Sequence, residues 1–162
     1  ALVLCMGDTL EATLAFDRHI DTEAKRIALL DTFKDEAEES LRVAQPLCDK
    51  LWGVRLDTPS ERGRVTVELV EEVRARLDQA AFGHVHIVVS GGLDAERIGY
   101  FFERGAPVDT FGVGSAISGA RALDFTADIK EVDGRPIAKR GRIPGLQENA
   151  RLEKWDLAQQ RE

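Results

Sequence analysis

HVHIVVSGGLDAERIGYFFERG, residues 84–105, is the stretch on which the fold turns. Its first seven residues, 84–90, are a short β-branched run ending on Ser90, the signature of a buried strand. Gly91-Gly92 makes a turn, Asp94 stands where a helix needs an N-cap, and a helix is predicted over 95–104. Gly105 then stops that helix. Strand, glycine turn, capped helix and stop form one βα unit.

Working outward, the same unit recurs. WGVRLD (52–57) is predicted as a strand, TPSERG (58–63) as a turn, and 65–81 as a helix with Leu69, Val70, Val73, Leu77, Ala80 and Ala81 on one face. KRIALLD (25–31) is predicted as a buried strand. The helix predicted over 35–51 has Ala37, Leu41, Ala44, Cys48 and Leu51 on one side, with Pro46 shortening or kinking its last turns. Downstream, 109–112 is a strand, followed by Gly114 and a short helix from Ser115 to about 120. The first sixteen residues read as a helix broken at Gly7, with Asp8 capping the second piece and Glu11 at the capping-box position.

Four alternating strand–helix pairs imply parallel strands with crossover helices. The strands end at Asp31, Asp57, Ser90 and Gly112, steps of 26, 33 and 22 residues. The expected fold is therefore α/β, a partial (β/α) barrel of four units, with an open doubly wound sheet as the competing architecture. After residue 124 the pattern changes. Residues 125–132 and 135–140 flank Asp133-Gly134, a hairpin signal. Three segments are expected: a half barrel with the site over 1–124, a hairpin belonging to a second domain over 125–142, and a polar tail over 143–162 anchored by Trp155.

A formal net charge of −7 over 162 residues argues against a broad nucleic-acid surface. No apolar run approaches the ~18 residues of a membrane-spanning helix. Cys5 and Cys48 fit no zinc or redox spacing and are expected to be reduced core residues of a cytoplasmic protein.

The strand ends carry the chemistry: Asp31-Thr32, Asp57-Thr58, Ser90-Gly91-Gly92 and Gly112-Val113-Gly114-Ser115. In a parallel sheet all four lie at one edge, where ligands bind. The two glycine-rich ends let the backbone approach an anion, each ahead of a helix N-terminus, and together point to phosphate. Asp31 and Asp57 suit ribose hydroxyls, Mg²⁺ or a developing positive charge. Arg55 points to the same side of its strand as Asp57 and needs an anionic partner. None of His19, His84 or His86 falls at this edge.

LLDTFKDE, VRLDTPSERG, IVVSGGLDAERI, DTFGVGSAIS and DIKEVDGRPIAKRG, in that order over residues 1 to 145, resemble the nicotinate phosphoribosyltransferase family of type II phosphoribosyltransferases, closest to its compact prokaryotic and archaeal kind. The resemblance implies formation of nicotinate mononucleotide and pyrophosphate from nicotinate and phosphoribosyl pyrophosphate, driven by ATP hydrolysis through a phosphohistidine, with Mg²⁺, in a homo-oligomer. It implies catalytic roles for Asp31, Arg55 and Asp57. Thr32, Ser90, Gly91, Gly92, Gly112, Gly114 and Ser115 would bind ribose and 5′-phosphate, with Mg²⁺ carried by pyrophosphate near the two aspartates. Lys139 and Arg140 match the basic element of the returning hairpin. The family's histidine element would lie just before Ala1, so the active enzyme is expected to need a preceding segment or a neighbouring subunit. A quinolinate-type phosphoribosyltransferase and a non-catalytic phosphate-binding subunit are the alternatives.

Overall fold

The structure, a computed structural model, describes residues 1–151. It divides into two compact units, Ala1–Ala120 and a second beginning at Arg121. The first unit opens with α1 (Leu2–Met6) and α2 (Thr9–His19), then alternates β1 (Arg26–Leu29), α3 (Glu36–Leu47), β2 (Leu51–Leu56), α4 (Val67–Gln79), β3 (His86–Val89), α5 (Ala95–Glu103), β4 (Thr110–Phe111) and α6 (Ser115–Ser118).

Local chemistry sets these boundaries. Gly7 ends α1 in the left-handed region at φ 77, and Asp8 caps α2 by accepting the Glu11 N–H at 3.0 Å. Asp35 accepts from Ala37 and Glu38 at the start of α3, Thr66 from Leu69 at α4, and Asp94 from Arg97 at α5. Helix α3 is shorter than the spacing predicted. Pro46 has no N–H to offer the preceding turn, and the chain leaves the helix at Leu47. Cys48 takes φ 48, a 3₁₀ turn follows, and Leu51 opens β2. Leu51 is thus a strand residue, and the buried face of α3 is Ala37, Ser40, Val43, Ala44 and Leu47.

The four strands form one parallel sheet in the order β1-β2-β3-β4. The order follows the chain with no reversal, so these strands contain no doubly wound switch point, the order expected of consecutive (β/α) units. One face carries Ala28, Leu30, Val54, Leu56, Ile87 and Val89, all buried in one cluster with the apolar faces of α3, α4 and α5. The other face carries Ile27, Leu29, Arg55 and Val88 around a shallow concavity. On this face Ile27 is 42% exposed and Leu29 partly exposed, while Val88 is buried.

Two expectations fail. Cys5 and Cys48 are both exposed. Helix α1 has only five residues and buries none of them, and Cys48 sits in the turn beyond the end of α3. An apolar pattern marks a face, and it does not say that the face meets the core.

The second unit holds β5 (Glu131–Val132) and β6 (Arg135–Pro136), an antiparallel pair around Asp133 (φ 49) and Gly134 (φ 73). Two consecutive left-handed residues are what a tight two-residue hairpin turn requires. The ladder is much shorter than the segments 125–132 and 135–140. Lys130 adds a bracket, its carbonyl accepting from the N–H groups of Ile137 and Gly145. Lys139 and Arg140 follow β6 and are exposed. Trp155 lies outside the described residues. No described helix is long and apolar enough to cross a membrane.

Candidate functional site

The register of the sheet builds the site. Leu29 pairs with Arg55, Arg55 with Val88, and Val88 with Thr110. Side chains alternate faces along a strand, so two residues further on the same face returns. That step reaches Asp31, Asp57, Ser90 and Gly112. The four strand ends therefore form one lateral row on the concave side, at the edge from which α3, α4, α5 and α6 depart.

Arg55 lies just beneath the row and joins two of its members. Its Nε donates to Ser90 Oγ at 2.8 Å and a terminal nitrogen donates to Asp57 Oδ2 at 2.7 Å. Its side chain is 46% exposed, although its strand is buried on the opposite face. Of five guanidinium donors, these two bonds use two, leaving three for a ligand. Ser90 is buried and is fixed twice to Leu56: its N–H donates to the Leu56 carbonyl at 2.9 Å, and its hydroxyl at 3.3 Å.

Asp31 differs from its neighbour. Its Oδ1 is buried and has no hydrogen-bond partner among the described residues. Burial pushes its carboxyl above the ordinary aspartate range; a hydrogen bond from its own backbone N–H opposes this, the nearby Asp57 and Glu36 charges add to it, and Arg55 offsets a further part. Asp31 does not cap α3, a task that Asp35 performs. A desolvated carboxylate oxygen left unpartnered at a strand end is costly for folding and suits a ligand hydroxyl or cation.

The glycines are fitted to this row. Gly91 has φ 95, and a Cβ on it would stand 2.7 Å from Asp57 Oδ1. Gly92 has φ 61, and a Cβ there would run into the Arg64 guanidinium. Both positions need glycine for backbone conformation and for space. Thr32 lies in the turn after β1, partly buried, while Gly114 and Ser115 are exposed at the start of α6.

The structure also brings in three residues that the sequence patterns did not single out. Glu36, 2% exposed, accepts from the buried Thr58 hydroxyl at 2.9 Å and faces Arg62 at 3.6 Å, so it braces the segment after Asp57. Arg97 of α5 donates to the Val65 carbonyl at 3.2 Å, clasping the β2–α4 connection to the next helix. Arg64 stands against Gly92. Away from the row, His86 faces Asp109 at 3.3 Å and stacks on Trp52, and His84 is exposed beside the Cys48 carbonyl.

Residues 1–128 match the family described as quinolinate phosphoribosyl transferase, C-terminal domain. The chain belongs to this family. It is thus the C-terminal portion of a type II phosphoribosyltransferase fold, and the polar row lies where such a fold presents its strand ends. The chain is 37% identical over 94 residues to nicotinate phosphoribosyltransferase pncB1 of Mycobacterium tuberculosis, covering 56% of this chain and 19% of that protein. It is 28% identical over 108 residues to nicotinate phosphoribosyltransferase of Bacillus subtilis, 64% of this chain and 21% of that one. The crystal structure of nicotinate-nucleotide pyrophosphorylase from Pyrococcus furiosus superposes with a TM-score of 0.71 at 47% identity, over 90% of this chain and 36% of that chain. This phosphoribosyltransferase segment therefore spans about a fifth of the curated relatives and just over a third of the solved one.

Proposed function

We propose that the protein carrying this segment transfers a phosphoribosyl group from phosphoribosyl pyrophosphate to nicotinate, forming nicotinate mononucleotide and pyrophosphate in NAD metabolism. The observation that carries this reading is the row Asp31, Asp57, Ser90 and Gly112, with Arg55 beneath it bonded to Asp57 and Ser90.

The pyridine nitrogen lone pair forms the new bond to the anomeric carbon. The bond from that carbon to the pyrophosphate oxygen breaks, and its electrons leave with the oxygen. Positive charge grows on the ribose ring between these events. Asp57, held by Arg55, and Asp31, beside it in the row, are preorganised to stabilise that charge. The Ser90-Gly91-Gly92 and Gly112–Ser115 turns grip the 5′-phosphate, which fixes the sugar for in-line displacement. The free donors of Arg55 suit the single carboxylate of nicotinate.

Mg²⁺ fits the same row. Asp31 offers a buried unpartnered oxygen, and no third ligating group joins the two aspartates among the described residues. Such a pair suits a cation that arrives already coordinated by pyrophosphate, and its chemistry there is neutralisation of the leaving group. ATP coupling and the homo-oligomer belong to the proposal as the resemblance implies them, with a neighbouring subunit or other parts of the whole protein supplying the rest of the site.

The family description favours a second reading, with quinolinate as the acceptor and loss of carbon dioxide. Incubating the whole protein with phosphoribosyl pyrophosphate and either acid, with and without ATP, separates them. Nicotinate mononucleotide from nicotinate supports the proposal. Product from quinolinate alone, with carbon dioxide released, replaces it with the second reading. No product from either acid reduces the segment to a phosphate-binding subunit.

A further inference from the structure

We propose that Arg64 is a phosphate-contacting residue of the Gly91-Gly92 turn, closing from the neighbouring loop onto the phosphate monoester that this turn binds. The inference rests on the phosphate-binding reading of that turn and extends it to a residue outside the row.

The case begins with the backbone. A 3₁₀ turn over Ser60–Arg62 ends at Gly63, φ 89, and Arg64 follows at φ 64. The left-handed region is unfavourable for arginine and persists only where the surroundings enforce it. Here the Arg64 N–H donates to the Pro59 carbonyl at 3.1 Å, and the Arg97 guanidinium grips the Val65 carbonyl next to it. The loop is thus fastened to α5, the helix that follows the glycine turn.

That backbone sends the Arg64 side chain across to the turn. The guanidinium takes up the space a side chain on Gly92 would need, so the bare backbone of Gly92 is a condition of its position. Yet the guanidinium makes no hydrogen bond and no ion pair with any described residue. Arg26, Arg42, Arg55, Arg62, Arg74 and Arg76 all have carboxylate partners. A partly buried arginine, held by a strained backbone against an anion-binding turn and left without an anion, has donors in the fork geometry that phosphate oxygens match.

The acidic side chains around the turn do not occupy it: Glu61, whose charge interacts with that of Arg64, accepts from the Ser60 hydroxyl and forms no ion pair with Arg64. Asp57 is engaged by Arg55, Glu36 by Thr58 and Arg62, and Asp94 caps α5. The ligand class is a phosphate monoester, here the 5′-phosphate of the phosphoribosyl group.

The test compares the whole protein with its Arg64→Ala and Arg64→Lys variants. Steady-state kinetics with phosphoribosyl pyrophosphate are run beside calorimetric binding of ribose 5-phosphate. Arg64→Ala is expected to raise KM for phosphoribosyl pyrophosphate and Kd for ribose 5-phosphate by about tenfold or more, the usual scale for a hydrogen bond to a charged group. Turnover at saturation should stay within about threefold, and Arg64→Lys should recover part of the loss. Unchanged KM and Kd in Arg64→Ala overturn the proposal, as does an equal loss in both variants accompanied by a lowered melting temperature, which marks a structural role. If the unaltered protein binds ribose 5-phosphate without transferring phosphoribosyl groups, the enzyme reading fails while the binding comparison still decides Arg64. If it does not bind ribose 5-phosphate at all, both readings fall.

Discussion

The two ends of the parallel sheet differ in whether every charge finds a partner. Where the strands begin, charges are paired. Arg26, 5% exposed, donates to Asp17 at 3.0 Å and to the carbonyls of Asp21, Ala24, Ile20 and Asp17. Lys50 takes the second Asp17 oxygen at 2.9 Å, and these two cations hold the Asp17 carboxyl below the ordinary range, Lys50 first. Where the strands end, Asp31 is pushed upward and keeps an oxygen without a partner, and Arg64 stands unpaired on a strained backbone. Two aspartates of one unit, shifted in opposite directions, separate an end that holds the fold from an end that awaits a ligand.

The sharpest way to break this comparison is at Asp57. In the whole enzyme, Asp57→Asn should lower kcat by about 10²–10³-fold, the scale for losing one preorganised electrostatic contact. The melting temperature should hardly move; near-normal turnover in a pre-steady-state and steady-state assay sinks the catalytic assignment. Arg26→Ala is its counterpart at the other end. It strands the Asp17 carboxylate and the part-buried carbonyls that the guanidinium gathers, so a loss of about 2–3 kcal/mol is expected, about 5–10 °C in Tm by calorimetry. kcat per folded molecule should be unchanged, and a fall in kcat without loss of Tm would erase the division between the ends.

A smaller effect is expected at Gly91→Ala. The new Cβ must displace Asp57 Oδ1 and adopt φ 95, so turnover should fall about tenfold, alongside about 1–2 kcal/mol of strain read from denaturant midpoints. The smallest effect is a gain. Asp31 has a raised folded pKa, so the stability linked to its protonated form is complete below the unfolded value near 3.8 and lost as pH rises through the folded one. Asp31→Asn should therefore raise Tm at pH 7 by about 2 °C, and the gain should close as the pH is lowered toward 3.8. Equal melting curves at pH 7 would mean that Asp31 has found a partner.

How much of this was legible in the sequence depends on the range of the interaction involved. Asp31, Asp57, Ser90 and Gly112 could be named because strand period and turn residues act over a few positions. The caps at Asp8 and Asp94 are as local. The period of β2 puts Arg55 on the same side as Asp57 but is silent on its exposure, because the strand's pattern records burial on one face only. Glu36 was invisible: an acidic residue in a first helical turn reads as solvated, and its burial depends on Thr58 and Arg62 arriving from another loop. Arg64 needed a backbone angle that a glycine one position earlier hints at without fixing. Cys5 and Cys48 show the reverse failure, an apolar spacing with nothing packed against it.

The strand order β1-β2-β3-β4 also governs how the row comes into being. Each ladder joins sequence neighbours, with registered partners 26, 33 and 22 residues apart. Closing loops of such similar length differs in entropic cost by only about 0.4 kcal/mol, so no single closure is the bottleneck. Ladders that each join sequence neighbours can form in the order of synthesis. Asp31, Asp57, Ser90 and Gly112 then fall into line one after another as each βα unit docks on the last, and the row is complete only when its fourth member, the one with no side chain, is in place.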